Sequence, residues 1–353
     1  MQAARPDVSL LALATAVPPY RLEQAAVAAL ARRIYAKSFA RYPKLADVFC
    51  NAGIEARHSV RPLEWFMTPH DWSDRTQAYL DGAGALFVAA AQAALARAGL
   101  SARDVDTVVT VSSTGVATPS LEARAGAELG FRPSAARVPV FGLGCAGGVS
   151  GLSIGTRLAR AEPGHVVLVV VVELCTLAFR SDRSGKADVI SSALFGDGAA
   201  AAVMRVEGNG TPRLRIGATA EHTWPGTLDI MGWTVDPAGF GVVLSRSLPR
   251  FVERRLAAPA RRFLHEADLQ APQFICHPGG AKVLDAVEIA LDLQKGSLRD
   301  EREVLRGHGN MSAPSVLFVL ERALARGLRG PAVLAALGPG FTASFLALDA
   351  AHG

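Results

Sequence analysis

The sharpest chemical feature of the sequence is a single cysteine among glycines. Val138-Pro-Val-Phe-Gly-Leu-Gly144 reads as a strand running into a turn, and Cys145-Ala-Gly-Gly148 opens the segment that follows, which continues as a helix through Leu152 and Leu158. Small neighbours let a thiol stand clear there. Backbone N–H groups and the macrodipole at a helix N-terminus favour negative charge, so this setting predicts a lowered thiol pKa and a populated thiolate. A buried structural cysteine would also suit glycine-rich packing. The other cysteines, Cys50, Cys175 and Cys276, are scattered without CxxC spacing, so neither a disulfide framework nor a zinc site is expected.

Two further residues stand at comparable places. His277 ends the apolar run Gln273-Phe-Ile-Cys276 and is followed by Pro278-Gly279-Gly280; Asn310 lies in Gly307-His-Gly-Asn-Met-Ser312, just ahead of a helical pattern. Alone, His277 would serve equally as a structural or surface group, and Asn310 as a helix cap. Together with Cys145 they form a set with one chemistry in common. A thiolate accepts an acyl group, and a histidine and an asparagine both donate to a thioester oxygen. That set suits decarboxylation of a malonyl thioester, whose developing enolate oxygen needs donors more than a base.

The elements that position these residues follow one plan twice. An alanine-rich helix from about Leu86 to Ala98, a turn at Gly99 and the strand Thr107–Val111 lead to Cys145 and its helix; the strand Val166–Val172 and a glycine-rich hairpin from Phe195 through Met204 complete the first unit. In the second, a helix from about Arg250 to Leu264 and the strand ending at His277 lead to Asn310 and a helix through Val316, Leu320 and Ala323; strands at Val333–Leu337 and Ala343–Leu348 flank the Gly338-Pro339-Gly340 turn. Helices alternating with apolar strands give an α/β class. The duplication predicts a layered helix–sheet–helix–sheet–helix body with an internal pseudo-twofold. Its halves are residues 1–210 and 211–353, with the boundary at Gly208–Arg213.

Composition narrows the classes. The chain has 353 residues, half of them apolar, enough for a sizeable core. The longest apolar run, His165–Leu174, falls short of the ~18–20 residues of a membrane helix and reads as a strand buried on both faces. Asp7 before the Leu10–Ala16 run and Pro18-Pro19 after it favour a first strand over a secretory signal, so a cytoplasmic location is expected. Net charge is +5, carried almost wholly by arginine because only five lysines are present. The charge forms no long run, which argues against a nucleic-acid tail and leaves room for a small anion-binding patch.

The motifs in combination carry a resemblance. Cys145 in GLGCAGG, Phe195 in ALFGDGAAAAV, His277 in CHPGGAKVLDAVE, Asn310 in GHGNMSAPSVLFVLE and the closing LGPGFTASF resemble the chalcone-synthase-like, or type III polyketide synthase, superfamily from about Leu10 to Ala350. The resemblance implies the thiolase fold (a duplicated five-layered αβαβα body), a homodimer, CoA thioesters as substrates and no external cofactor or metal. It casts Cys145 as acyl carrier, His277 and Asn310 as donors to the malonyl carbonyl, and Phe195 as an aromatic gate. Val242 falls where plant enzymes have a second gate phenylalanine, and Thr118 and Ala178 where they have Met and Thr. Met231-Gly-Trp233 with GFGVVLS is similar to bacterial alkylresorcinol and alkylpyrone synthases, which implies a fatty acyl starter and a pyrone or resorcinol product, unless Trp233 fills the tunnel. Arg57, Arg61 and Lys282 are the expected CoA contacts. The alternatives are a chain-initiating ketoacyl-carrier-protein synthase, which typically has Gln-Ala-Asn after the histidine, and a catalytically silent thiolase-fold binding protein.

Overall fold

The computed structural model describes residues 6–207 and 214–350. The expected boundary at Gly208–Arg213 therefore lies outside the described residues. Among these, the strands are β1 (Val8–Ala16), β2 (Tyr20–Glu23), β3 (Ala56–Ser59), β4 (Thr107–Val111), β5 (Ala136–Val140), β6 (Val167–Leu174), β7 (Asp197–Arg205), β8 (Leu214–Thr223), β9 (Met231–Asp236), β10 (Gly239–Leu244), β11 (Gln273–Cys276), β12 (Gly330–Gly338) and β13 (Thr342–Ala350).

The duplication is written in the hydrogen bonds. β1 pairs antiparallel with β7, β7 antiparallel with β6, and β6 parallel with β4. β8 pairs antiparallel with β13, β13 antiparallel with β12, and β12 parallel with β11. The first half adds β5 parallel to β4, at an outer edge. The halves join where Val8 and Ser9 of β1 pair with Ile216 and Arg215 of β8, so the two sheets run on as one nine-stranded array.

Alternation along the strands builds the layers. Val167, Val169 and Val171 of β6 face a central cluster, while Leu168, Val170 and Val172 face an outer one. In β12, Ala332, Leu334 and Ala336 face the same centre and Val333, Ala335 and Leu337 the opposite outer layer. The central layer holds the helices Gly147–Ala161 and Ser315–Ala325, which follow Cys145 and Asn310. Each fully buried valine here contributes ~1.5–3 kcal/mol, which is why valine-rich strands suit a sheet covered on both faces.

Two local expectations change. The alanine-rich helix is longer, Trp72–Ala98, with Asp71 accepting a hydrogen bond from the Asp74 N–H at its start. By length and composition alone it could cross a membrane, but more than half of its most apolar window is buried against the sheet. The hairpin expected from Phe195 is absent: Asp197–Arg205 is one strand, and Phe195 instead forms a parallel bridge with Asn310. The glycines serve close approach, since a Cβ at Gly196 would lie 2.3 Å from the His308 carbonyl oxygen.

The central helices also meet through a glycine. A Cβ on Gly148 would lie 2.3 Å from the Ala313 carbonyl oxygen. Gly148→Ala should therefore lower the unfolding free energy by ~1–3 kcal/mol through overpacking, read as a shift of the urea midpoint; an unchanged midpoint would contradict this contact.

Candidate active site

Cys145 sits in a 3₁₀ turn, Gly144–Ala146, that leads into the Gly147–Ala161 helix. Gly144 has φ +47° and lies so close to Pro339 that any side chain would strike the ring. His277 follows β11 and is fixed by its backbone N–H, which donates to Ala335 O at 2.8 Å. Asn310 is held on both sides: its N–H donates to Leu194 O at 2.8 Å and its carbonyl accepts from Gly196 N at 3.0 Å. Its Nδ2 donates to Gly279 O, two residues after His277 in the chain, and its Oδ1 accepts from the Ser312 N–H. The following helix begins only at Ser315 and is not capped by the Asn310 side chain. Cys145, His277 and Asn310 all line one cavity, otherwise walled mostly by aliphatic and aromatic side chains.

Burial governs the electrostatics. It pushes the Cys145 thiol up to about 11, the Ser312 and Asn310 side chains working against it and the nearby Glu173 charge adding to it. Burial likewise pushes His277 down to about 3, and neither of its ring nitrogens has a partner. The thiol thus lies above its ordinary value and not below it as expected from the helix terminus, with burial of Cys145 the largest cause. Either charge alone is disfavoured. Moving the proton from Sγ to the imidazole forms both charges together and leaves the pair neutral overall, the form in which a buried site best tolerates ionisation.

The sequence profiles of chalcone and stilbene synthases match nearly the whole chain: the N-terminal domain over residues 1–208 and the C-terminal domain over 216–350. The chain belongs to the chalcone and stilbene synthase family. It is 39% identical to a 1,3,6,8-tetrahydroxynaphthalene synthase of Streptomyces peucetius over 96% of this chain and 92% of the relative. It is 34% identical to a putative chalcone synthase of Bacillus subtilis, over 96% and 97% respectively. The crystal structure of the Streptomyces coelicolor tetrahydroxynaphthalene synthase, a bacterial type III polyketide synthase, superposes with a TM-score of 0.92 at 30% identity, covering 98% of this chain and all of that one. The fold is the thiolase-type α/β fold of those enzymes, and the activity class is that of a condensing acyltransferase.

The chalcone-synthase-like wall of the cavity is only partly as expected. Phe195, Trp233 and Val242 line it. Trp233 and Val242 are directly paired across the β9–β10 hairpin, and the Trp233 ring lies 6.0 Å from Phe195 and stacks on Phe240. Ala178 is buried in the same 3₁₀ turn as Cys175 but does not line the cavity, and Thr118 is exposed on the surface of the chain. Arg57 is the clearest correction. It is 2% exposed, and its guanidinium donates to the carbonyls of Ser192 at 2.8 Å, Phe195 at 2.9 Å and Ala193 at 2.7 Å, and to Gln24 Oε1. It braces the end of the Lys186–Leu194 helix and cannot meet CoA. Arg61 does not line the cavity, and its guanidinium meets Asp81 at 3.4 Å. Lys282 is exposed, immediately before Val283 of the cavity wall.

Two residues at the centre escaped the reading of the sequence. Ser312 lines the cavity and faces the thiol. Glu173 is fully buried, accepts from the Ser113 N–H and the Thr114 hydroxyl, and is pushed up to about 8 by burial. A lone acid at the end of an otherwise apolar strand was the available signal.

Cys145→Ala should abolish acyl-enzyme formation while the fold survives, read by intact mass after incubation with acyl-CoA; label on Cys50, Cys175 or Cys276 would sink the assignment. Asn310→Ala and His277→Ala should each slow malonyl-CoA decarboxylation by ~10²-fold or more. The depressed His277 pKa has a definite sign: the imidazole stays neutral above about 3. With the thiol removed in Cys145→Ala, residual decarboxylation should therefore show no acid limb between about pH 5 and 7. A limb near the ordinary histidine value would refute it.

Proposed function

We propose that the chain loads an acyl starter from CoA onto Cys145, extends it by decarboxylative condensation with malonyl-CoA, and releases a cyclised pyrone or resorcinol. The observation that carries this reading is the meeting of Cys145, His277 and Asn310 in one apolar cavity. In the first step Sγ attacks the thioester carbonyl, its proton passes to the His277 imidazole, and CoA leaves as the thiol. Malonyl-CoA then loses CO₂. A ring N–H of His277 and the spare Nδ2–H of Asn310 hold the enolate oxygen, and the enolate carbon attacks the Cys145 thioester, expelling the thiolate.

An aliphatic wall favours a fatty starter, since each buried CH₂ contributes ~0.8 kcal/mol. The working unit is a homodimer in this reading. β5 is an outer edge of the sheet, and Phe141 beside it and Val116 are 57% and 52% exposed, a surface suited to a second copy. The reaction needs no external cofactor, Lys282 meets the CoA phosphates, and the enzyme works in the cytoplasm. Among the described residues no group of three or more His, Cys, Asp or Glu could hold a metal ion.

A second reading has its own support. The Trp233 indole stands inside the cavity beside Phe195, and a 39% identical relative is a tetrahydroxynaphthalene synthase, which favours a short starter and a fused aromatic product. Competition among acyl-CoA starters of increasing length separates the two. A fatty preference in the wild type supports the first reading, and a preference for acetyl or malonyl overturns it. In either case Trp233→Ala should shift the preference by at least two carbons towards longer starters, whereas Ala178→Leu, away from the cavity wall, should leave it unchanged.

A further inference from the structure

Neither ring nitrogen of His277 has a hydrogen-bond partner among the described residues, so no side chain orients the imidazole directly. Its placement is left to packing and to its main chain. Successive N–H groups of an extended strand point to opposite sides. The His277 N–H points towards β12 and donates to Ala335 O at 2.8 Å. The N–H of Cys276, one residue earlier, therefore points away from β12. β11 is an edge of the nine-stranded sheet, and among the described residues no strand pairs with it on that side. The Cys276 N–H donates instead to Glu301 Oε1 at 2.8 Å. Two consecutive residues of the cavity wall are thus gripped from both sides, one by a strand and one by a side chain.

Glu301 is a costly residue to place there. It is 3% exposed, and the charges that act on it, Asp300 and Glu288, are both acidic. A buried carboxylate without a cation is unfavourable, and burial, the largest cause, pushes its pKa up to about 7. Ionised or protonated, the carboxyl keeps an oxygen that accepts from Cys276, so the grip persists through the titration. Its position in the chain adds the second observation. Glu301 lies in the first turn of the helix Arg299–His308, and the chain leaves the last turn of that helix through Gly309 into Asn310. One helix, about 15 Å long, grips the strand of one donor at its start and delivers the other donor at its end. We propose that Glu301 is a positioning residue for the condensation: through the Cys276 N–H it sets where the His277 imidazole stands relative to Asn310. Glu301 does not line the cavity and touches no reacting atom. Without it the Cys276 N–H is left unpaired at a buried strand edge, and the strand end must shift to find an acceptor. The inference rests on the role given to His277 above and extends it to a residue outside the cavity.

The test measures kcat and KM for malonyl-CoA decarboxylation by the full chain in four variants beside the wild type. Glu301→Gln keeps the acceptor oxygen at nearly the same volume, and Glu301→Leu removes it. Val88→Ala, in the outer core of the first half, controls for lost stability, and His277→Ala controls for the role of the imidazole. Glu301→Leu should lower kcat by ~10-fold or more with KM held within about twofold, because a misplaced donor acts on rate and not on ground-state binding. Glu301→Gln should keep both constants within about twofold of the wild type. Val88→Ala should lower the Tm and leave kcat unchanged. Glu301→Met replaces the leucine variant if that fails to fold. With His277→Ala slow, four results each overturn the proposal alone: a normal kcat in Glu301→Leu, Glu301→Gln as slow as Glu301→Leu, a loss confined to KM, or an equal loss of kcat in Val88→Ala. Decarboxylation at the wild-type rate by His277→Ala overturns the role given to His277 and this proposal with it.

Discussion

Two backbone hydrogen bonds, from Asn310 N–H to Leu194 O and from Gly196 N–H to Asn310 O, tie a loop of the second half to a loop of the first at the reacting centre. The site depends on this bridge. It fixes Asn310 while leaving its side chain to span Gly279 and Ser312. It fixes Phe195, whose own carbonyl is held from behind by buried Arg57. Because the bridge consumes main-chain groups, the side chains on either side stay available for chemistry. It also explains Gly196: the strand entering β7 must pass within contact of the His308 carbonyl to make the bonds.

Burial then sets the state in which the nucleophile waits. Desolvation raises the thiol and lowers the imidazole, and Glu173 behind them adds a further unfavourable field for a lone thiolate. Burial thus favours the uncharged form of each group. Both ring nitrogens of His277 are buried and without a hydrogen-bond partner among the described residues, which leaves them available to a molecule in the cavity.

What could be read from the sequence followed from local causes. Cys145, His277 and Asn310 were legible because each stands where a strand or turn meets glycines, and the duplication was legible because valine-rich strands and helices recur in the same order. Arg57 was not, because its burial comes from residues far along the chain, Gln24 and the end of the Lys186–Leu194 helix, and a basic residue in a polar stretch reads as surface. Thr118 and Ala178 were assigned by position in a related pattern, and the side chains that line the wall depend on packing that no local pattern reports. The hairpin expected at Phe195 failed for a similar reason: its glycines answer a neighbour more than a hundred residues away.

The β9–β10 hairpin stands apart from all this. It is a separate two-stranded sheet, pinned to the body where Arg180 and Arg183 reach Asp236, and it leans Trp233 and Val242 over the cavity. Trp233 touches Phe195 and Phe240, and Phe240 reaches Trp72, so the wall is an aromatic patch laid against the body. The hairpin shares no backbone pairing with the nine-stranded array, and it meets the Phe195–Asn310 bridge only through side chains. The cavity wall and the reacting centre are thereby hung on different sheets, so a changed side chain in the hairpin reshapes the wall while the main-chain bonds that hold Asn310 stay in place.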